Sequence, residues 1–510
     1  MIHGFAAKDP AHFRPTKSDK PGGTSPDCVL LGSILARMGA SPGSRNLGTG
    51  AFVLFSLVVL TFANSASKVA VLTTPAHSSP TQLSAADPPL QIDSLKRPLS
   101  EWLLLIMLAA VQFTVAVDFV IMMPLGPQLM RIFGIDTPAF NVAVSAYAGA
   151  AGVSGLGAAF FLDRFDRKTA LLMIYAGFAI GTLLCALAPT YQTLVFARAL
   201  AGFFGGIVGG ISLAMVGDLV PDARRASAVG TVMSAFSVAQ VAGVPLGLYF
   251  ADTLGWHIPF LLLAALSAIV WVFAIVRLPK VRAHIRASRG ETPLRRFLGV
   301  LANANHLRAL ALMSVITFGG FMIIPDLANY LISNVHLNSG ELRWVYLVGG
   351  GATLFTMNGV GRLADRFGRM RIFTIMMCCS IVAAFLSTHL PVVPAAVAVT
   401  ASTFFMISMT GRFVPAMAMI TSSVEPEHRG GFMSVNSAVA QFSAALAATM
   451  AAWVIHDGPN HQLVGFGKVA WLYVGWAVIG LWLASGIRRA AVPGAKGSPL
   501  TDETLPESST

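Results

Sequence analysis

From about residue 98 onward the chain is a succession of apolar runs, each about 20 residues long, separated by short polar joints. Runs such as "LLMIYAGFAIGTLLCALAP" (171–189) and "FLLLAALSAIVWVFAIV" (260–276) carry no charge at all. Twenty residues at about 1.5 Å rise cross a hydrocarbon layer about 30 Å thick, so each run reads as a transmembrane helix. Twelve such spans are expected, near 102–125, 141–161, 169–188, 193–217, 229–251, 258–276, 309–332, 344–361, 372–390, 394–421, 431–455 and 468–487. The longest internal polar stretch, "RLPKVRAHIRASRGETPLRR" (277–296), divides them six and six.

Composition agrees. Of 510 residues, 55% are hydrophobic and 11% charged, with mean hydropathy +0.69, against about 25% charged in ordinary soluble domains. A net charge of +12 would suit nucleic acid or an anionic surface, but the basic residues are confined to particular loops. Alternate loops on one side carry more than twenty Lys and Arg, seven of them between Arg277 and Arg296. The loops on the other side carry Arg131, Arg343 and Lys468. The positive-inside rule therefore places the central loop and the C-terminus in the cytoplasm of a plasma membrane, the inner membrane if the source is bacterial. Cys28, Cys185, Cys378 and Cys379 show no metal-ligand spacing, and neither a disulfide nor a metal is expected.

Residues 1–95 fall outside this plan. They are Gly-, Pro- and Ser-rich apart from "AFVLFSLVVLTFA" (51–63), which is short for a span and similar to a signal-peptide core. A cleaved signal would leave residue 95 outside and reverse the loop asymmetry. The expectation is a dispensable extension or overlong reading frame, with an extra anchor as the alternative. The remaining boundaries are a first six-helix bundle at 98–277, a cytoplasmic linker at 278–307, a second bundle at 308–490 and a disordered tail at 491–510.

The two halves repeat each other. "FVIMMP" ending at Pro124 matches "FMIIP" ending at Pro325, an offset of 201. "LDRFDRK" with Asp163 matches "ADRFGRM" with Asp365 at 202, and "PDARR" from Pro221 matches "PEHRG" from Pro426 at 205. Three anchors in register imply duplicated bundles, the parallel-repeat plan of certain secondary transporters.

The loops "AFFLDRFDRKTALL" (159–172) and "GRLADRFGRMR" (361–371) resemble the signature loop of the major facilitator superfamily, Gly-x-Leu-Ala-Asp-Arg-x-Gly-Arg-Lys. The second copy keeps Gly361, Leu363, Asp365, Arg366, Gly368 and Arg369. The first keeps Asp163, Arg164, Arg167 and Lys168 but has Ala159 and Asp166 where the pattern has glycine, so its turn need not be the same. The resemblance covers about residues 98–490. It implies an all-α polytopic fold of two six-helix bundles and a cytoplasmic latch, with Asp163 at a neighbouring helix N-terminus and Arg164 or Arg167 paired with Asp218. A topological anchor with no switching role is the plainer alternative. "ARALAGFFGGIVGG" is similar to the family's Arg-x-x-x-Gly motif through Arg198 and Gly202, and glycines at this spacing also serve close helix packing. "AGVPLG" (242–247) resembles the antiporter motif through Gly243, Pro245 and Gly247, although Val244 splits the usual Gly-Pro pair.

Charged residues within a span cost about 2.5–3.5 kcal/mol at the helix centre on insertion scales and are functional candidates. Asp118 lies 16 residues past Trp102, about 24 Å along span one, and Arg198 lies 20 residues before Asp218, about 30 Å along span four. Both sit in the outer half, within reach of one another. Asp118 reads as a proton carrier, as a fixed partner of Arg198, or as a hydrated acid near the surface. At the offset of 201 its counterpart is Gly319, so the second bundle is expected to have no matching acid. Arg412 in span ten reads as a substrate or anion contact, or as an interhelical hydrogen-bonding group. Met406, Met409, Met417 and Met419 around it suit an adaptable apolar pocket or ordinary packing. Asn358, Asn436 and Gln441 are further candidates for the same cavity.

The resemblance implies a monomeric secondary transporter that exports a drug- or sugar-like molecule by alternating access and proton antiport. Its partners would be substrate, protons and the bilayer, with no cofactor, nucleic acid or enzymatic activity. An uptake symporter or uniporter, or a transporter-like sensor that moves nothing, remains the alternative.

Overall fold

The structure is a computed structural model and describes residues 101–161, 165–279, 299–425, 429–458 and 462–488. The N-terminal extension, most of the central linker, the C-terminal tail, Asp163 and Arg164 lie outside the described residues.

Each helix begins and ends where local chemistry dictates. Span one is α1 (Glu101–Ile121) followed, after a turn at 122–125, by α2 (Gly126–Phe133). Next come α3 (Thr137–Phe161), α4 (Arg167–Ala186) and α5 (Tyr191–Leu219). Thr190 and Thr193 close a capping box at the start of α5, satisfying amide donors that a helix N-terminus leaves open. Span five runs as α6 (Asp222–Val238), a π segment (Ala239–Gly243) and α7 (Val244–Leu254), and α8 (His257–Arg277) ends the first half.

The second half repeats the order: α9 (Ala304–Phe321) and α10 (Ile324–Ser333), α11 (Ser339–Phe367), α12 (Arg369–Thr388), α13 (Ala395–Ser422), α14 (Arg429–Val454) and α15 (Phe466–Ser485). Asn338 and Glu341 form the capping box of α11. The breaks in spans one and seven correspond: Pro127 and Pro325 each stand in the first turn of the new half-helix, where a missing N–H costs nothing.

Eleven of the described helices, the broken spans counted as continuous, are long and apolar enough to cross a membrane. The twelfth, α11, has 29 residues, but glycines at 349–351 with Thr353, Thr356 and Asn358 dilute its hydropathy. The fold is thus all-α and polytopic, two six-helix bundles related by the internal repeat. Its small exception is a two-stranded antiparallel pair, β1 (His456–Asp457) and β2 (Leu463–Val464), in the last connection.

Consecutive spans alternate direction, so the joints near 166, 221, 278, 368 and 425 share one end, called here the basic end. The joints near 135, 189, 255, 336, 392 and 460 share the opposite end. The bundles meet along several helices, with α10 reaching α2 and α3 at one end. The α3 helix lies along α14, and α11 packs on the π segment and α7 while touching α6 little. Bonds across this interface cluster toward the opposite end. Thr137 donates from its backbone N–H (3.0 Å) and Oγ1 (2.6 Å) to Asp457. Arg343 Nε meets Asp252 Oδ2 at 3.6 Å. Farther in, Ser145 Oγ donates to the Ala445 carbonyl at 3.2 Å and accepts from Thr449 at 3.1 Å. The bundles are closed against each other at that end.

Candidate functional site

Asp118 and Arg198 meet inside the first bundle. Arg198 Nη1 donates to Asp118 Oδ2 at 2.9 Å and to its main-chain carbonyl at 3.1 Å, and Thr182 Oγ1 donates to Oδ1 at 3.2 Å. The acid is 0% and the arginine 1% exposed. The guanidinium also lies over the Tyr147 ring, 4.3 Å from its centroid. Four spans therefore build the site: α1 supplies the acid, α5 the base, α4 the hydroxyl and α3 the aromatic face. Close helix approach makes this possible. A Cβ on Gly202 would lie 2.2 Å from the Tyr147 carbonyl and one on Gly206 2.4 Å from that of Ala151, so only glycine lets α5 come this near α3. Gly210 has nothing within 4 Å and takes no part.

The antiporter-like segment packs on the same acid's helix. A Cβ on Gly243 would meet Val117 Cγ2 at 2.3 Å, and one on Gly247 would meet Ile121 Cδ1 at 2.6 Å. Val117 directly precedes Asp118, and Ile121 follows it by almost a turn. Val244, the residue that splits the Gly-Pro pair, donates its N–H to the Ala239 carbonyl and closes the π turn. A π turn absorbs one extra residue without unwinding the helix, so Gly243 and Gly247 still face α1 together.

An aromatic path leads from the ion pair to the second bundle. Phe119 lies 5.2 Å from Tyr147 and 5.7 Å from Phe321, centroid to centroid.

Arg412 is 3% exposed and lies within the second bundle. It donates to the Ile316 carbonyl at 2.9 Å and to Met409 Sδ at 3.0 Å, and sits 5.3 Å from the Tyr473 centroid. Met377 Sδ lies 4.0 Å from Nη1, so among the described residues its partners are a carbonyl, two thioethers and a ring, with no carboxylate. The other candidates are scattered. Asn436 is buried, with Oδ1 unpaired; Gln441 is half-buried; Asn358 is exposed and donates to the Leu354 carbonyl of its own helix at 3.2 Å.

The second bundle does hold a buried acid. Asp326, in the first turn of α10, is 0% exposed, and its Oδ2 accepts from Asn141 Nδ2 of α3 at 2.9 Å. It does not occupy the repeat position of Asp118, where Gly319 stands, but lies seven residues beyond it. The sequence carried the signal: Asp326 falls inside the span expected at 309–332, one residue after the anchor that ends at Pro325.

At the basic end Arg167 Nε pairs with Asp218 Oδ2 at 3.2 Å. Lys168 Nζ donates to the Ile275 carbonyl in the last turn of α8 at 2.7 Å, a favourable place for a cation. Asp166 accepts from the Lys168 and Thr169 amides and caps α4. The matching Gly368 has φ +94° and joins α11 to α12 directly, so the two turns do differ. Arg369, the counterpart of Arg167, donates to the Ala418 carbonyl at 3.0 Å. Gly361 faces Val414, Arg366 lies over the Phe367 ring, and Asp365 is exposed without an ion pair to a described residue.

Two repeated six-helix bundles with charged groups sealed inside them define a polytopic membrane carrier. The family profile of the Major Facilitator Superfamily matches residues 108–448, with a second match at 309–504, and the chain belongs to that superfamily. Among its relatives is YceJ of Bacillus subtilis (strain 168), described as an uncharacterized MFS-type transporter. The two are 26% identical over 368 residues, covering 72% of this chain and 92% of YceJ. The inner membrane transport protein YdhP of Escherichia coli O157:H7 is 29% identical over 348 residues, covering 67% of this chain and 86% of YdhP. Similar folds include the nucleoside transporter NupG (TM-score 0.62, 14% identity, 76% of this chain and 100% of that one). A bacterial homolog of the human lysosomal transporter Spinster gives TM-score 0.60 at 14% identity, covering 76% and 97%. The chain is accordingly a multi-pass membrane protein that transports by the major facilitator fold.

Proposed function

We propose that the protein exports a small drug- or sugar-like molecule in exchange for protons, with Asp118 as the coupling acid and Arg198 as its counter-ion. One observation carries this reading: the antiporter-like segment, Gly243 to Gly247, packs directly on Val117 and Ile121 to either side of Asp118. Motif and acid are one structural unit. A buried pair of this kind supports coupling because the acid has two distinct states. Charged, it binds Arg198; protonated, it releases the arginine to other acceptors. Tyr147, Phe119 and Phe321 give the change a packed route to the second bundle.

The positive-inside distribution supports placing the basic end in the cytoplasm of the bacterial inner membrane. Bundles closed at the opposite end would then present an inward-facing state. Arg167, Lys168 and Asp218, with Asp163 and Arg164, serve as the cytoplasmic gate, matched by the loop from Gly361 to Arg369. Arg412, Asn436, Gln441 and Asn358 are the substrate contacts of this reading.

The test begins with compound sensitivity in cells lacking or overproducing the protein. Each active compound is then added to proteoliposomes holding a pH-sensitive dye. Wild-type protein should move protons on compound addition, and Asp118→Asn should bind the compound without moving them. Proton-independent transport, or full coupling in Asp118→Asn, would sink the assignment.

A further inference from the structure

Several buried polar atoms without hydrogen-bond partners gather where α10 of the second bundle meets α3 and α2 of the first. Asp326 Oδ2 is engaged by Asn141, but Asp326 Oδ1, Asn141 Oδ1 and both amide atoms of Asn329 lack a well-formed bond. Asn329 is three residues after Asp326, on the same face of α10. It lies against α2, where a Cβ on Gly126 would stand 2.8 Å from its Oδ1. Asp326, Asn141 and Asn329 are each 1% exposed or less.

Among the described residues no cation pairs with this carboxyl. Arg131 of α2 donates to the Pro127 carbonyl, and Arg343 of α11 pairs with Asp252. Glu341 caps α11, and Asp457, beside β2, accepts from Thr137. On α12, Arg369 and Arg371 lie at the basic end, as do His306 and Arg308 on α9. A bare carboxylate here would have only neutral amide donors, Asn141 and, less well placed, Asn329, in apolar surroundings, an arrangement that costs several kcal/mol or more. A proton on Oδ1 changes that. It turns a surplus acceptor into a donor and supplies an orphaned amide oxygen of Asn141 or Asn329, satisfying two atoms with one hydrogen.

We propose that Asp326, Asn141 and Asn329 form a second proton-binding site, occupied while the bundles are closed at the opposite end. The acid belongs to one bundle and its donor to the other, so parting the bundles withdraws Asn141 and lets water reach the carboxyl, which then releases its proton. Closing takes the proton up again. The site rests on the alternating-access reading above but not on Asp118, whose partners all lie within the first bundle.

The experiment uses the full chain in lipid nanodiscs with native cysteines replaced. Spin labels at Ile132→Cys and Ser339→Cys, both exposed positions near the opposite end, report the distance between the bundles. The distribution should widen as pH rises. Asp326→Asn, whose amide donates as the protonated acid does, should stay closed at every pH, while Asp118→Asn should keep the response. Should Asp326→Asn fail to fold, Asn141→Ala serves instead, because weakening the closed form should move the transition to lower pH; an unmoved transition overturns the site. So does a wild-type titration in Asp326→Asn, closure driven by sodium at fixed pH, or no pH response in the wild type. A response lost only in Asp118→Asn overturns the site and leaves the antiport reading standing. An intact Asp326-dependent response without compound-driven proton movement does the reverse.

Discussion

Arg412 lies against Gly319, the residue that the internal repeat sets opposite Asp118: a Cβ there would stand 3.9 Å from Arg412 Nη1 and 2.8 Å from Tyr473. Each bundle therefore buries one arginine beside an aromatic ring, Arg198 over Tyr147 and Arg412 near Tyr473. In the first bundle a carboxylate answers it, and in the second a backbone carbonyl and thioethers do. The two arginines are not repeat mates: at the offset of 205 Arg412 stands opposite Ile207. Among the described residues, Arg198 has a carboxylate partner in its own bundle and Arg412 has none.

That asymmetry predicts opposite stability effects from the same substitution. Arg198→Met strands Asp118 as an unpaired buried charge and should cost about 3–5 kcal/mol. Adding Asp118→Asn should recover part of it, because the stranded charge is gone. Arg412→Met removes a buried charge that has no counter-ion among the described residues, and that relief offsets the loss of a charge-assisted carbonyl hydrogen bond worth about 1.5–3 kcal/mol, so its melting temperature should stay near the wild type or rise. Thermal unfolding in detergent compares them. Equal destabilisation by the two methionines would show that Arg412 has a counter-ion after all.

The span-five glycines make a second prediction. Gly243→Ala places a methyl 2.3 Å from Val117 Cγ2, and overpacking of this kind costs about 1–3 kcal/mol. Val117→Ala in the same chain should restore much of the stability, since it vacates the contested space. The measurement is again a melting temperature, single against double variant. A neutral Gly243→Ala would mean that α1 and the π segment are not held as closely as the structure has them.

Much of this architecture is legible from residue order. Apolar runs give the spans, and Thr190, Asn338, Pro127 and Pro325 mark their ends through capping and missing donors, which are local effects. The Asp118–Arg198 pair is legible from depth arithmetic, because two helices of known direction bring their charges to one level. What lies beyond this reading depends on contacts between distant segments. Val244 looks like a blemish in a motif until the π turn shows where the extra residue goes. Asp326 looks like the end of an apolar anchor, since nothing near it in sequence names Asn141 as its partner, 185 residues away. Arg412 reads from residue order as either a substrate contact or an interhelical hydrogen-bonding group, and nothing near it in sequence names the Ile316 carbonyl and the Tyr473 ring that surround it.

The signature loops should respond unequally. Arg167 and Asp218 are 8% and 25% exposed in their side chains; a pair so placed contributes up to about 1 kcal/mol, less at high salt. Arg167→Gln and Asp218→Asn should each lower stability by that order, with the double variant little worse than either alone. Asp365→Asn, on the exposed counterpart, should leave the melting temperature unchanged. Salt titration of the unfolding curves checks the attribution: the difference between Arg167→Gln and wild type should shrink as ionic strength rises, and a salt-independent gap would assign it to lost packing.

At the opposite end Thr137 holds Asp457 by two bonds, from its amide and from its hydroxyl. Thr137→Val keeps the shape and the amide bond but deletes the hydroxyl donor, and a hydrogen bond to a charged group contributes about 1.5–3 kcal/mol. Because that bond exists only while the bundles are closed there, its loss should act on the closed–open equilibrium more than on folding. About 1.4 kcal/mol is tenfold in an equilibrium constant. A cysteine placed at Ser145, which faces Ala445 and Thr449 across the bundle interface, should therefore react with a polar maleimide at least tenfold faster in the Thr137→Val background. Asp457→Asn should speed it too, by weakening both bonds at once. If neither variant changes the rate while both lower the melting temperature, the Thr137–Asp457 contact stabilises the fold in every conformation, and closure at that end rests on the other contacts there, Asn141–Asp326 and Arg343–Asp252 among them.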